Sequence, residues 1–201
     1  MSETVKVGFL GFGIVGGGAA TILREHAADI EKRTGARVEI ARVAVRSLSK
    51  QRAVDLDPSI VTTDPWEVVG DPSVQIVVEV IGGIEPARDL LLEAIKNGKH
   101  VVTANKELLS TLGQDVMQAA DTAGVDLLFE AAVGGGIPII RPMKESLITI
   151  YGSRTETAAV DKLISIAKTD EDSVLRRRAI SRLSTSKDPR AAAALKEIVV
   201  P

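Results

Sequence analysis

Short apolar runs alternate with longer amphipathic stretches over the first 150 residues of the chain. Five apolar runs predict β-strands: residues 5–10, 37–45, 74–81, 100–103 and 125–129. Apolar positions between these runs recur at helical spacing, as in residues 19–32 and 108–123. The run at 74–81 is almost continuously apolar, which is typical of a strand covered on both faces. The alternation predicts a doubly wound α/β fold with a parallel sheet.

The pattern changes after residue 150, where apolar residues follow helical spacing and no strand is predicted. One stripe recurs 32 residues later, and a period in this range is typical of helical solenoids. Val160, Leu163 and Ile166 correspond in this way to Ala192, Leu195 and Ile198. We therefore expect two domains, an α/β domain over residues 1–150 and a helical segment over 151–201.

A glycine-rich turn follows the first strand and opens a helix. Gly11 permits a tight turn, Gly13 lets the backbone approach a pyrophosphate, and Gly16 lets the helix pack closely. The first amides of the helix and its dipole favour a diphosphate at this point. A glycine-rich turn without a ligand is the alternative. We predict dinucleotide binding through this turn and the glycines that end the run at 74–81: Gly11, Phe12, Gly13, Ile14, Val15, Gly16, Gly82 and Gly83.

The residues after the second strand bear on the choice of cofactor. In this fold an acid at that position binds the ribose 2′-hydroxyl of NAD, whereas a basic residue suits the 2′-phosphate of NADP. Here the strand leads into Arg46, with Lys50 and Arg52 close behind and no acid before Asp55. We therefore predict NADP, with NAD as the second choice. A basic loop exposed to solvent is the alternative interpretation.

Two further segments follow strands at the edge where open α/β sheets bind ligands. Lys106 comes after the run at 100–103, and its position alone leaves a ligand-facing and a solvated role equally open. Glu130 ends the run at 125–129 and is followed closely by three consecutive glycines. A carboxylate together with backbone carbonyls could hold a hard cation. The residues alone favour a plainer reading, a glutamate hydrogen-bonded to backbone amides.

Composition excludes several classes of function. The net charge is −2, and the aromatic residues are three Phe, one Tyr and one Trp, so we expect no nucleic-acid partner. The chain has no cysteine, which rules out disulfides and thiolate chemistry. We find no apolar run of transmembrane length and no basic-then-apolar start, so we expect no membrane association and a cytoplasmic location.

Four segments together resemble the nucleotide-binding domain of homoserine dehydrogenase. They are GFLGFGIVGGG, EVIGG, VVTANKELL and FEAAVGGGIPIIRPMKESL, and the resemblance covers about residues 4–150. The resemblance implies an NAD(P)-dependent oxidoreductase with a Rossmann-type fold. It implies that the substrates are aspartate semialdehyde and homoserine, on the route to threonine and methionine.

The resemblance also assigns roles to single residues. It places Lys106 beside the nicotinamide and the substrate, as a catalytic residue that also contacts the cofactor. It matches Arg46 to a position that contacts the 2′-phosphate of NADP. Its monovalent-cation site, often occupied by sodium, corresponds to one carboxylate and three backbone positions: Glu130, Val133, Gly135 and Ile137. The cation interpretation is thereby favoured over the plainer one.

The resemblance ends near residue 150, before the substrate domain that the family would supply. Residues 156–201 instead resemble a short HEAT-like repeat of the kind found in phycobilin-lyase-related proteins, and cover little more than one repeat. Fewer than about three repeats are not stable alone, so the segment must pack on the first domain, form a homodimer or be loosely ordered. A protein partner for it is a further expectation. Its arginines, Arg176, Arg177, Arg178 and Arg182, indicate either a solvated helix face, which we favour, or an anionic partner.

Two functions follow from these features. The first is a cofactor-binding fragment of a homoserine dehydrogenase that is inactive as an isolated chain. The second is a non-catalytic NADP-binding module fused to a helical-repeat interaction segment, including a chimera that is engineered or misassembled.

Overall fold

A parallel β-sheet forms the centre of the first part of the chain. The computed structural model describes residues 3–50, 52, 54–135, 137–170 and 172–199. Within them, six strands pair in the order β3-β2-β1-β4-β5-β6, every pair parallel. The strands are β1 (Glu3–Leu10), β2 (Ala36–Ala44), β3 (Val61–Thr62), β4 (Ile76–Glu79), β5 (His100–Thr103) and β6 (Leu127–Leu128). This order confirms the α/β fold and is that of a Rossmann-type domain, whose switch point lies between β1 and β4.

Helices connect the strands on both faces of the sheet. They are α1 (Ile14–Glu25), α2 (Ala27–Thr34), α3 (Trp66–Gly70), α4 (Ala87–Lys96) and α5 (Lys106–Ala123). The single helix expected over 19–32 is wrong. The chain is already helical from residue 14, and His26, with φ −107° and ψ 18°, separates α1 from α2. The strand expected over 125–129 is also shorter than predicted, because only the two residues of β6 pair with β5.

Apolar side chains cover both faces of the sheet. Phe9 of β1 and Val43 of β2 pack in a cluster that includes Leu23 of α1. Val77 of β4 belongs to another cluster, which contains Leu90 of α4 and further apolar residues of α5. This burial explains why the central strands contain near-continuous apolar runs.

The remaining residues form a separate helical unit. The chain divides into two compact units after Ile137. The second contains α6 (Ile140–Gly152), α7 (Thr157–Thr169), α8 (Ser173–Ser184) and α9 (Pro189–Val199). A division at residue 150 would fall inside α6. Ile148 of α6 is 2% exposed and clusters with Leu163 of α7 and Leu175 of α8, so α6 groups with the helices that follow it.

Arginines of the helical unit are engaged by partners within that unit. Arg178 lies 2.9 Å from a carboxylate oxygen of Glu145, and Arg176 donates to the carbonyl of Asp170 at 2.6 Å. The choice between a solvated helix face and an anionic partner for the arginines stays a prediction. The helices themselves are as expected, while their likeness to a HEAT repeat stays a prediction. In the part of the chain that the structure describes, we find no helix with both the length and the hydropathy needed to cross a membrane.

Replacing Ile148 with alanine tests the assignment of α6. The change should destabilise the helical unit by about 2–5 kcal/mol, because it leaves a cavity in that core. The matched control is Leu147→Ala, since Leu147 is 46% exposed, and it should cost less than about 0.5 kcal/mol. Hydrogen exchange should show the loss of protection in α7 and α8. Loss of protection in α4 and α5 instead would contradict the division.

Candidate functional site

The turn after β1 has a geometry that requires glycine. Gly11 has φ +95°, and its amide donates to the carbonyl of Ala44 at 3.0 Å. A Cβ at this position would lie 2.8 Å from Cγ2 of Ile81 and 3.1 Å from the carbonyl oxygen of Val80. A side chain therefore has neither the backbone conformation nor the space that it needs here.

The two following glycines differ in their surroundings. A Cβ on Gly16 would lie 2.6 Å from the carbonyl oxygen of Gly11, whereas a Cβ on Gly13 would meet nothing within 4 Å. Gly13 is the N-cap of α1, and no side chain caps this helix. The first amides of α1 lack partners within the helix and are suited to an anion. The turn is thus packed on one side and open on the other.

A cavity of about 630 Å³ lies at the carboxyl ends of β1, β2, β3 and β4. Its volume falls within the range of small-molecule sites, and its position at the switch point is where this fold class binds dinucleotides. Among the described residues, sixteen line it: Gly11, Phe12, Gly13, Ala44, Val45, Arg46, Ser47, Lys50, Arg52, Thr63, Pro65, Val80, Ile81, Gly82, Glu85 and Pro86.

Basic residues after β2 line one part of this cavity. Arg52 donates to the carbonyls of Lys50, at 3.0 Å, and of Ser47, so its guanidinium holds the loop itself. Arg46 is exposed and makes no hydrogen bond or ion pair with the residues that the structure describes. Its charge is therefore available to an anionic group in the cavity.

The predicted cofactor residues divide between the cavity lining and its neighbours in the chain. Gly11, Phe12, Gly13, Arg46 and Gly82 line the cavity. The others follow these residues directly, as Ile14, Val15, Gly16 and Gly83, or begin α5, as Lys106 does. Lys106 is exposed and lies at the carboxyl edge of the sheet, next to Asn105, the N-cap of α5.

The glycine segment after β6 begins with a 3-10 turn from Glu130 to Ala132. The carbonyl of Glu130 accepts from the amide of Val133 at 3.1 Å, and the carbonyl of Gly134 accepts from the amide of Ile137 at 3.3 Å. Neither bond uses the backbone carbonyl of Val133, Gly135 or Ile137, which are the three predicted backbone ligands of the cation. Among the described residues no three His, Cys, Asp or Glu are grouped to hold a metal, so a cation here would depend on backbone oxygens and one carboxylate.

A buried polar network at the ends of β4 and β5 escaped the sequence analysis. Glu79, the last residue of β4, is fully buried and accepts a hydrogen bond from the hydroxyl of Thr103 at 2.6 Å. Asn105 donates from its side chain to the carbonyl of Gly83 at 2.6 Å. The signal that could have revealed this network is a single acid inside an otherwise apolar run, because a buried carboxylate needs partners.

Comparison with known proteins gives a family. The family described as "Homoserine dehydrogenase, NAD binding domain" matches residues 11–130. A homoserine dehydrogenase from Synechocystis sp. is 50% identical over 144 residues, which is 72% of this chain and 33% of that protein. The chain thus spans about a third of the length of this curated relative.

Solved structures show the same relationship. A homoserine dehydrogenase from Thiobacillus denitrificans has a TM-score of 0.67 and 37% identity, covering 90% of this chain and 48% of its own. A hyperthermophilic archaeal homoserine dehydrogenase in complex with NADPH has a TM-score of 0.58 and 20% identity, covering 98% of this chain and 69% of its own. At that identity the likeness shows the fold alone. The family match spans more than half of the chain, and on that ground the chain belongs to the homoserine dehydrogenase NAD-binding-domain family.

Proposed function

We propose that this chain binds NADP(H) in the 630 Å³ cavity and is the cofactor-binding part of a homoserine dehydrogenase. The observation that carries the proposal is the combination of an open glycine turn and an unpaired arginine in one cavity at the switch point. The bound nicotinamide would supply hydride transfer, and the chain supplies binding and orientation.

Each part of the cavity suits one part of the cofactor. The start of α1, beside Gly13, suits the diphosphate, because its amides and dipole favour negative charge. Arg46 suits the 2′-phosphate, which NADP has and NAD lacks. Gly82, in the loop after β4, lines the cavity beyond the switch point and suits the nicotinamide half. The archaeal homoserine dehydrogenase structure in complex with NADPH has the same fold, which supports a nicotinamide cofactor for this chain.

The remaining roles rest on family membership together with position. Lys106 begins α5 at the carboxyl edge of the sheet, and we assign it to the substrate side as a catalytic residue. The substrates are then homoserine and aspartate semialdehyde, on the route to threonine and methionine in the cytoplasm. Glu130, with the carbonyls of Val133, Gly135 and Ile137, would hold a monovalent cation, with sodium as our choice.

A second candidate is a non-catalytic NADP-binding module whose helical unit binds a protein or a second copy of the chain. The observation in its favour is that α6 to α9 enclose a core of their own, which contains Ile148, Leu163 and Leu183. Such a unit, whether or not it is HEAT-like, provides helix surfaces for a partner without any role in cofactor binding.

Arg46→Ala tests the cofactor choice. The unmodified chain should bind NADPH about ten- to a hundredfold more tightly than NADH, because a charge-assisted contact to the 2′-phosphate is worth roughly 1.5–3 kcal/mol. The variant should lose most of this preference in calorimetric titration. Arg37→Ala is the control, because Arg37 is an exposed arginine at the other end of β2, 3.2 Å from Glu39. Equal affinities in the unmodified chain would contradict the role of Arg46.

Glu130→Gln tests the cation site. If the carboxylate and nearby carbonyls hold sodium, the melting temperature should be higher in sodium chloride than in choline chloride at equal ionic strength. Binding at a hundredfold excess over the dissociation constant stabilises by about 2.7 kcal/mol. The variant should lose this difference, while Glu93→Gln, which changes an exposed pair with Lys96, should keep it. Identical melting curves of the unmodified chain in the two salts would refute the site.

An activity assay of the 201-residue chain tests whether the chain alone can oxidise homoserine. NADPH should raise the melting temperature, and homoserine-dependent NADPH formation should stay at background. The reason is that the cavity and Lys106 provide the cofactor side, whereas we find no residues in 151–201 suited to orient homoserine. General acid–base help contributes about 10²–10⁴-fold and positioning of reactants more, so their loss leaves little turnover. Robust turnover would show that the helical unit completes a substrate site.

A further inference from the structure

Glu79 carries a carboxyl group that is fully buried in the sheet. It ends β4, between β1 and β5, and is 0% exposed. Burial of a carboxylate is costly unless hydrogen-bond donors surround it. The side chain must therefore have a role that offsets this cost, either for the stability of the fold or for the site that lies beside it.

Three donors converge on this carboxylate. Its Oε1 accepts from the amide of Ile81 at 2.9 Å and from the amide of Gly82 at 3.1 Å. Its Oε2 accepts from the hydroxyl of Thr103 at 2.6 Å. The side chain acts as the acceptor in every one of these contacts.

The contacts continue into the next strand and helix. Oγ1 of Thr103 accepts from the amide of Asn105 at 3.0 Å. The side chain of Asn105 donates to the carbonyl of Gly83 at 2.6 Å and accepts from the amide of Leu108 at 3.0 Å, which caps α5. The hydrogen bonds thus form a closed circuit from Glu79 through the loop after β4 to Asn105, and back through Thr103.

This circuit joins a segment that lines the cavity to the start of α5. Ile81 and Gly82 line the cavity, and the side chain of Ile81 lies against the backbone of Gly11. Asn105 fixes the start of α5, which is where Lys106 lies. The relative position of the loop after β4 and of the start of α5 therefore depends on one buried carboxylate.

We propose that Glu79 is a positioning residue that, through the loop 81–83 and Thr103, sets the half of the cavity that receives the nicotinamide end of the cofactor. This inference rests on the proposed function, because it takes NADP(H) as the occupant of the cavity. Glu79 itself is buried and does not touch the cofactor. Its effect is on the position of Gly82 and, through Asn105, of Lys106.

The substitution Glu79→Gln should break the circuit at the hydrogen bond with Thr103, while the size of the side chain stays the same. The amide oxygen can accept from the amides of Ile81 and Gly82 as the carboxylate does. The NH₂ group then faces Thr103, whose hydroxyl must turn to accept from it and loses its own acceptor. An uncompensated buried donor at this point loosens the contact between β4 and β5.

The experiment compares two ligands in one set of variants. NADPH extends along the whole cavity, whereas adenosine 2′,5′-bisphosphate occupies only the end near Arg46. In Glu79→Gln and in Thr103→Val we expect NADPH affinity to fall about tenfold, and affinity for the bisphosphate to change less than about twofold. Thr103→Ser keeps the hydroxyl and should restore NADPH affinity. This ligand dependence is a readout that a general loss of stability does not produce.

Lys99→Met is the matched control for a structural effect. Lys99 is 3% exposed and donates to the carbonyls of Asp71, at 2.6 Å, and Val74, at 2.8 Å. Burial lowers the pKa of its ammonium group, and the charge of Asp71 opposes this shift. It precedes β5 at the end of the sheet opposite the cavity, so its replacement should lower the melting temperature without changing either affinity.

Each outcome decides between the two proposals. Unchanged NADPH affinity in Glu79→Gln and Thr103→Val, or equal losses for both ligands, would overturn the positioning role and leave the proposed function intact. Failure of the unmodified chain to bind NADPH would overturn both. If Glu79→Gln does not fold, the pair Thr103→Val and Thr103→Ser makes the same comparison at the other end of the hydrogen bond.

Discussion

The close approach of the turn after β1 to the end of β4 is the constraint on which the cofactor site depends. At Gly11 a Cβ would lie within 2.8 Å of Ile81, and at Gly16 it would lie within 2.6 Å of the Gly11 carbonyl. These contacts press the turn against the neighbouring strand and leave its other side open at Gly13. The cavity exists because β1 and β4 are adjacent in the sheet while their connections leave in opposite directions.

Glu79 provides hydrogen-bond acceptors for backbone amides in the loop that follows β4. Once β4 ends, the amides of Ile81 and Gly82 have left the strand ladder, and partly buried amides lose free energy when they have no partner. A side chain that reached into the cavity to bind them would take space from a ligand. Glu79 binds them from within the sheet, so the loop is satisfied and the cavity stays open.

Features that depend on neighbouring residues in the sequence could be predicted, whereas contacts between residues far apart in the sequence could not. The strand at 100–103 and the glycine turn are local patterns. The strand has the predicted bounds, whereas the helix after the turn begins at Ile14 and not at residue 19. The pairing of Glu79 with Thr103 depends on strand register, in which the two residues lie opposite each other although 24 positions separate them. The sequence pattern does not tell which core the apolar face of α6 joins, and α6 therefore spans residue 150, where the sequence analysis divides the chain.

The proposed enzyme must bind a cofactor and orient a substrate, and the cavity for the first task lies in the first unit. The described residues that line the cavity lie between Gly11 and Pro86, and the hydrogen-bond circuit of Glu79 ends at Leu108. The described lining of the cavity therefore belongs to the first unit. Hydride transfer also requires groups that hold the substrate against the nicotinamide, and we propose Lys106, at the edge of the sheet, as one such group. Binding a nucleotide and orienting a substrate are thus separate tasks in this fold, and the first does not by itself imply the second.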